Sequence, residues 1–420
     1  MPRLPVPIRR PRNLIQVPAV ARALPWRRLA FLHGSPEEWA PTALAAAEEV
    51  LPWVPGADYD ALLAPAPEPG DGVASLRAAL AEVPPATPVV LYERDVPVWP
   101  NLLVHDGGDG AAEPATPAEG LRAYRSAFRH GGRGLAEAYQ VLDARRLDLL
   151  LSGRRPPKRG PLGDLVHRRF LVTAHDHQRA LEAVASRPGP DVLPPARRVL
   201  VLSPHYDDES LQAGGAMLAA MASGAEVRVV WLTDGARGVP DASPEESARI
   251  RRAEGEAAMR VLGVSDLHFL GAPEERLRAR GPWRRRLHDL IAEFDPDRIH
   301  LVWWADDHVD HYEVSRLLRA ALPTGYGDVT LAVCGVWAPL PGRALLPLDA
   351  GMRRRKDEAV RAYRSQLAAV DYLRVEHGLA RWHARDRDGA DYAESFWVLP
   401  AADYLAAFRA SGADRRLWLG

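Results

Sequence analysis

Cysteine is almost missing from this chain: Cys334 stands alone among 420 residues. That excludes an internal disulfide and any zinc knot built from several thiolates, so a metal would have to rest on histidines and carboxylates. A chain without disulfides also fits a reducing cytoplasm, which is the expected location. Lysine is scarce as well, confined to Lys158 and Lys356, so nearly all the positive charge is arginine. Neither sign of charge is in excess, with 54 Lys and Arg against 55 Asp and Glu and a formal net charge of -1. No global basic field is available for a polyanion, and nucleic acid is not an expected partner. Long apolar runs are absent too. The basic start, MPRLPVPIRRPRNLIQV, is interrupted by prolines before it reaches signal-peptide or membrane-span length, so no membrane span is expected. A homo-oligomer stays open.

What is present is an ordinary folding composition, 47% hydrophobic and 26% charged, enough to bury a full core. The length allows about two to four domains, or one α/β domain of roughly 250 residues with an extension. From Arg197 onward apolar runs alternate with helical stretches. RRVLVLSP, EVRVVWLTDG, DLHFLG, RIHLVWW and DVTLAVCGVW read as strands. LQAGGAMLAAMASG, SARIRRAEGEAAMRVLG (ended by Gly263) and WRRRLHDLIAEF (closed by Asp295-Pro296) read as helices. Strands buried on both faces and alternating with helices predict a Rossmann-like, doubly wound, mostly parallel α/β sheet. Four regions are expected: a basic Pro-rich segment 1–27, an accessory α/β region 28–150, an Arg/Pro-rich connector 151–196, and a catalytic domain 197–420.

In such sheets ligands bind beyond the carboxyl ends of the strands. Two segments placed there carry chemistry. Pro204-His205-Tyr206-Asp207-Asp208-Glu209 follows the first strand, where one imidazole and one carboxylate can bind a divalent ion while a second carboxylate stays free. The plainer role for these acids is to cap the following helix. Asp306-Asp307-His308-Val309-Asp310-His311 follows a later strand and supplies a further ligand. Of its two histidines one can bind metal and the other can face the substrate, with Asp310 orienting an imidazole. His175-Asp176-His177 has no partner motif and is expected at the surface.

The two segments in this order resemble the PIG-L/LmbE family of zinc-dependent de-N-acetylases, whose first motif is usually PHPDDE and whose second is HxDH. Thr233-Asp234-Gly235, Arg251 with Glu254 and Ala258, and Tyr363-Arg364-Ser365-Gln366 extend the likeness over about Val199 to Leu399. The resemblance implies His205, Asp208 and His311 as zinc ligands, with Fe2+, Mn2+ or Co2+ as alternatives. It also implies Asp207 as general base, and His308, oriented by Asp310, as the group that steadies the oxyanion or protonates the amine. The implied substrate is a small N-acylated amino sugar or conjugate of the N-acetylglucosamine kind, and the competing reading is a non-catalytic ligand-binding module with a decayed site. Two departures matter. Tyr206 replaces the family's proline, which leaves the turn less fixed and a phenol near the pocket. Glu274 stands where the family often has Asp, so Tyr206, Arg251 and Glu274 are the candidate substrate contacts, with the loop at Trp304 nearby.

An internal repeat also shows. FLHGSPEEW (Phe31–Trp39) matches FLGAPEERL (Phe269–Leu277), LRAAL at Leu76 recurs at Leu318, and AYRS at Ala123 recurs at Ala362, all offset by 238 to 242 residues. LAEAYQVL at Leu135 against YAESFWVL at Tyr392 extends the series. The LRAAL offset sets Ala66, Glu68 and Pro69 opposite His308, Asp310 and His311, so region 28–150 is expected to be a degenerate, metal-free copy.

Overall fold

The computed structural model describes residues 177–411 except 307, 387 and 388, and in the earlier part mainly 15–17, 28–32, 49–54, 61–67, 71–92, 102–105, 114–127 and 136–152. The chain divides into two compact units, Ile8–Ala185 and one that takes in Ser186–Gly420.

The first unit runs β1 (Ile15–Val17), β2 (Arg28–Phe31), β3 (Glu49–Pro52), β4 (Ala61–Pro65), α1 (Asp71–Ala81), β5 (Pro88–Tyr92), β6 (Leu102–His105), α2 (Pro117–Ala127), β7 (Ala136–Asp143), α3 (Ala144–Leu151) and a helix α4 over 177–185. Its sheet is ordered β1-β6-β7-β5-β4-β2-β3. Ala61 to Ala64 and Val89 to Tyr92 are buried on both faces, as their unbroken apolar runs require of central strands. β1 lies inside the segment 1–27, and α4 lies inside the segment 151–196. His177 is not at the surface: it is buried in the first turn of α4, while His175 and Asp176 lie outside the described residues.

The second unit continues with β8 (Arg198–Ser203), α5 (Asp208–Ala222), β9 (Glu226–Thr233), α6 (Pro244–Leu262), β10 (Asp266–Ala272), α7 (Pro282–Phe294), β11 (Arg298–Val302), α8 (Val309–Ala321) and β12 (Thr330–Cys334). It closes with β13 (Ala344–Pro347), α9 (Ala350–Arg361), α10 (Arg364–Leu367), α11 (Tyr372–His383), β14 (Ala393–Pro400) and α12 (Ala401–Ala410). The sheet order is β10-β9-β8-β11-β12-β14-β13. The first five strands are parallel, and β14 runs antiparallel to both of its neighbours, β12 and β13, so the doubly wound, mostly parallel fold is as the alternating runs require. α6 shows why the boundaries are legible: Ser243 caps it by accepting Glu246 N–H, Pro244 opens it, and Gly263 ends it at φ 89. The chain winds to one side through β8-β9-β10 and to the other through β11-β12. The crevice between the carboxyl ends of β8 and β11 is therefore the switch point where such sheets bind ligands.

α5 is broken at Ala213, whose φ and ψ are -145 and 16. A broken helix leaves carbonyls before the break and amides after it without partners. Glu394 on β14 accepts the Gly215 and Ala216 N–H groups at 2.7 and 2.8 Å, and Lys356 on α9 donates to the Leu211 carbonyl at 3.1 Å. Lys356 also donates to Glu394 at 2.7 Å and lies 3.1 Å from Glu376. A Cβ on Gly214 would come within 3.0 Å of Lys356 and one on Gly215 within 3.1 Å of Glu394, so the small residues there let the two partners reach the break. A compact ammonium with three donors serves three acceptors converging from different elements, which a planar guanidinium does not. In a chain so rich in arginine, this is where one of the two lysines is used.

Candidate active site

Both chemistry-bearing segments reach the switch point. β8 ends at Ser203, and the turn Pro204–Asp207 is held by hydrogen bonds rather than by a proline. Thr233 donates through its N–H and Oγ to the Pro204 carbonyl at 3.1 and 2.8 Å, Ser203 Oγ donates to the His205 carbonyl at 2.6 Å, and His205 N–H donates to Asp208 at 3.0 Å. The turn with Tyr206 in place of proline is thus fixed by other means. Glu209, fully buried, gathers donors from the turn and its surroundings: Asp207 N–H at 3.2 Å, Ser210 Oγ at 2.7 Å, Trp231 Nε1 at 2.8 Å, and the Tyr363 hydroxyl. Asp207 takes φ 126, a conformation side chains rarely adopt and one that costs on the order of 1–3 kcal/mol. It is retained because the hydrogen bonds on either side over-determine the turn.

Three atoms converge at the centre. His205 Nδ1 lies 3.0 Å from Asp208 Oδ2, His311 Nε2 lies 3.1 Å from the same oxygen, and the two imidazole nitrogens are 3.2 Å apart. The outer nitrogen of each imidazole meets a buried carboxylate: His205 Nε2 is 3.2 Å from Asp310 Oδ2, and His311 Nδ1 is 2.7 Å from Asp306 Oδ2. These carboxylates are themselves anchored. Asp310 accepts Glu275 and Leu277 N–H at 2.6 and 3.1 Å, and Asp306 accepts Val336 and Ala338 N–H at 2.9 and 2.7 Å. Asp310 therefore orients His205, not His308 as its place between the two histidines suggested. Asp306, which held no assigned role in the sequence, orients His311.

His308 caps α8: its Nδ1 accepts Asp310 N–H at 3.2 Å, and its ring packs edge-on to His205 with centroids 4.6 Å apart. One nitrogen from each of His205, His308 and His311 could meet at a cation, so two donor sets share His205 and His311. The capping bond bears on the choice: an Nδ1 that accepts an amide proton puts the ring proton of a neutral imidazole on Nε2, which suits His308 to donate.

The charges follow the geometry. Burial alone would lower the pKa of His205 and His311, but Asp208 and Asp310 raise His205 well above the ordinary value, and Asp208 and Asp306 raise His311 to about 9. Burial would raise Asp208, yet His311 and His205 bring it well below the usual carboxylate range. Burial lowers His308 well below its ordinary value, with His205 and His311 adding to the effect. Burial pushes Asp207 up to about 8 against the pull of Arg251. Three carboxylates around two imidazoles give the pocket a surplus of negative charge that favours positive charge at its centre.

The residues fit a metal. Adjacent donors on an ion with bonds of about 2.0–2.2 Å are themselves roughly 3 Å apart, as these three are, and ligating histidines ordinarily give their second nitrogen to a carboxylate.

The candidate substrate contacts fare differently. Arg251 is buried, not a solvated surface arginine: it donates to the Tyr206 carbonyl and to Asp207 Oδ2, the latter at 3.3 Å, so it holds the turn. The Tyr206 ring does not face the triangle. It is 3% exposed and packs on Trp231 and Phe269, with centroids 5.2 and 6.3 Å away. Trp304 is core too, against Trp397, Tyr404 and Phe408. Glu274 is half-buried and accepts Arg237 N–H at 2.6 Å. Glu254 ties α6 to the Tyr363–Gln366 turn by accepting Ser365 N–H and Oγ at 2.8 and 2.6 Å. One residue the sequence did not single out is Tyr372. Burial raises its hydroxyl well above the ordinary value, and the Asp207 charge adds to this.

Residues 200–322 match the family described as PIG-L, GlcNAc-PI de-N-acetylase. A 1D-myo-inositol 2-acetamido-2-deoxy-alpha-D-glucopyranoside deacetylase of Streptomyces avermitilis is 31% identical over 163 residues, which cover 30% of this chain and 53% of that protein. A Bacillus anthracis protein named as a probable N-acetyl-alpha-D-glucosaminyl L-malate deacetylase 2 is 30% identical over 136 residues, covering 30% of this chain and 60% of that one. Among solved structures, the N,N'-diacetylchitobiose deacetylase of Pyrococcus horikoshii aligns with a TM-score of 0.43 and 22% identity, over 50% of this chain and 86% of that one. The chain thus spans little more than half the length of the curated relatives named. Both paired motifs at the switch point, His205–Glu209 and His308–His311, fall within the residues 200–322 that match the PIG-L de-N-acetylase family.

Proposed function

We propose that the second unit is a metal-dependent amidase that removes an N-acetyl or related acyl group from an amino sugar or amino-sugar conjugate. The observation that carries this reading is the triangle of His205 Nδ1, Asp208 Oδ2 and His311 Nε2, with Asp310 and Asp306 behind the two imidazoles. His205, Asp208 and His311 would hold the ion, zinc first, with Fe2+, Mn2+ or Co2+ compatible with the same donors. When bound, the ion supplies Lewis acidity toward an amide carbonyl and makes water more acidic. Asp207 takes a proton from the attacking water as the C–O bond forms, and returns it to nitrogen as the C–N bond breaks, so that acetate and an amine leave in balance. Arg251 keeps the Asp207 carboxylate in place for both transfers. His308 offers its Nε2 proton to the oxygen that gains charge. The names of the relatives, deacetylases of N-acetylated amino-sugar conjugates, support the substrate class.

The test needs two measurements on the full chain. Divalent metal per chain is measured after purification without chelator or His tag, beside a His311→Ala control, and amine release is then followed on N-acetylglucosamine conjugates. About one metal, lost in the control, together with amine release is the expected result. No metal even after reconstitution with zinc would reject this reading in favour of a non-catalytic binding module.

A further inference from the structure

The two sheets share one plan. Read from the β3 edge, the first is β3-β2-β4-β5-β7-β6 with β1 added beyond β6, and the second is β10-β9-β8-β11-β12-β14-β13. Removal of β10 at one edge and β1 at the other leaves six strands in each, with β3, β2, β4, β5, β7 and β6 in the places of β9, β8, β11, β12, β14 and β13. Directions agree at every ladder. β2 is parallel to β3 and β4, and β4 to β5; β8 is parallel to β9 and β11, and β11 to β12. β7 is antiparallel to β5 and β6, as β14 is to β12 and β13.

Register is the sharper comparison, because a strand can slip by any number of residues. When each of the six strands is aligned to its counterpart at its first residue, all five ladders fall into the same register. Arg28 pairs with Glu49 as Arg198 pairs with Glu226, and Leu29 pairs with Ala61 as Val199 pairs with Arg298. Leu62 pairs with Val89 as Ile299 pairs with Leu331. Pro88 pairs with Asp143 as Thr330 pairs with Pro400, and Leu102 pairs with Tyr139 as Ala344 pairs with Phe396. Strand lengths match in four cases, 5 residues in β4 and β11 and in β5 and β12, 4 in β6 and β13, and 8 in β7 and β14. Helices fall alike: α1 follows β4 as α8 follows β11, α2 follows β6 as α9 follows β13, and α3 begins at the residue after β7 as α12 does after β14.

We infer that the first unit is a second, degenerate copy of the PIG-L-type fold that holds no metal, so the chain carries one hydrolytic centre and a non-hydrolytic twin. The alignment shifts the sequence match of Phe31–Trp39: β2 occupies the place of β8, not of β10. Continued past the strand, it sets Ser35 and Glu38 opposite His205 and Asp208, positions outside the described residues. No histidine occurs between His33 and His105, the whole stretch that would have to supply a counterpart of His311. Among the described residues the copy also has no strand in the place of β10, whose following loop supplies the amides that hold Asp310, and no counterpart of α10 and α11 between α2 and β7. The histidines opposite His205 and His311 and, among the described residues, the parts that orient them are lacking together, as relaxed selection on a spare site would leave them.

Two measurements decide it. An experimental structure of the full chain should show β3-β2-β4-β5-β7-β6 in the first unit with Pro88 opposite Asp143 and Leu102 opposite Tyr139. Any other order or register overturns the duplication. Zinc titration of the chelator-stripped full chain, read as metal retained after gel filtration, should give one tight equivalent in the wild type and none in His311→Ala. A tight equivalent that survives in His311→Ala would overturn the metal-free assignment. The assignment of the second unit rests on the proposed function, but strand order does not, so absence of metal from the wild type would reject that function while the duplication is still decided by the structure.

Discussion

Asp306 Oδ2 lies 2.7 Å from His311 Nδ1. Its other oxygen accepts two backbone amides, from Val336 and Ala338, so the carboxylate cannot rotate and the imbalance of charge falls on the imidazole. A bound His311 would thereby have its ring plane, tautomer and basicity set from the side away from the metal. Asp306→Asn should weaken zinc binding about 10- to 100-fold, the usual loss when such a partner is removed. Competition with a chromophoric chelator would measure this, and an unchanged affinity would take Asp306 out of the site.

Under the proposed function, variants of Asp207 and Arg251 should separate holding metal from turning over substrate. Asp207→Ala should leave the metal content at the wild-type level and lower kcat by about 100-fold or more, within the range general base catalysis supplies. Loss of metal in parallel would instead make Asp207 a ligand. Arg251→Met keeps much of the buried volume but removes both the hydrogen bond to the Tyr206 carbonyl and the ion pair with Asp207. It should lower kcat with metal retained, because the displaced group is the proposed base and not one of the proposed ligands.

The break in α5 makes a prediction about stability. Lys356 and Glu394 are both buried, and each also satisfies backbone groups freed at Ala213. Removal of one partner from such a pair leaves the other charge uncompensated, at a cost of about 3–5 kcal/mol. Lys356→Met should lower the unfolding free energy by that order in a denaturant titration. Lys356→Arg should destabilise as well, since the guanidinium cannot place three donors where the ammonium does. A Lys356→Arg variant as stable as the wild type would remove this explanation for the rare lysine.

How much of this was legible in the sequence depends on the range of each interaction. β8 and β11 read as central strands because RVLVLS and RIHLV are apolar on both faces, and the rule for doubly wound sheets then brings His205, Asp208 and His311 to one crevice. The carboxylates behind the histidines were not legible in the same way. Asp310 neighbours His308 and His311 in the chain, yet the first turn of α8 carries it toward His205, 105 residues away in sequence. Asp306 meets His311 only because the turn after β11 folds back and the 336–338 backbone closes on it. Arg251 is one arginine among several on α6, and only packing shows that this one points inward. Tyr206 looked like a pocket residue because it sits between ligands in the motif. The space between Gly235, Gly255 and Trp231 takes its ring into the core instead.

Two histidines outside the site weaken the fold in acid. His300 on β11 is fully buried with neither ring nitrogen paired, and burial, reinforced by Arg298, holds its pKa well below the ordinary value. His383 on α11 is lowered to about 3, by burial first and then by Arg385 and Lys356. A histidine whose folded pKa is depressed takes up its proton in the unfolded chain first. Between about pH 6.5 and the folded value, the unfolded state therefore binds more protons and stability falls as pH falls. Each histidine can contribute up to about 1.4 kcal/mol per pH unit inside that window and nothing above it. The raised Asp207, His205 and His311 act in the opposite direction over part of the same range, so the loss is read by comparing wild type with His300→Leu in urea at pH 7.5 and 5.0. His300→Leu should reduce the difference between the two pH values. At pH 7.5 the same variant should be at least as stable as the wild type, because it removes a buried ring N–H that has no acceptor. An acid response unchanged by His300→Leu would mean that His300 takes up its proton as readily in the fold as in the unfolded chain.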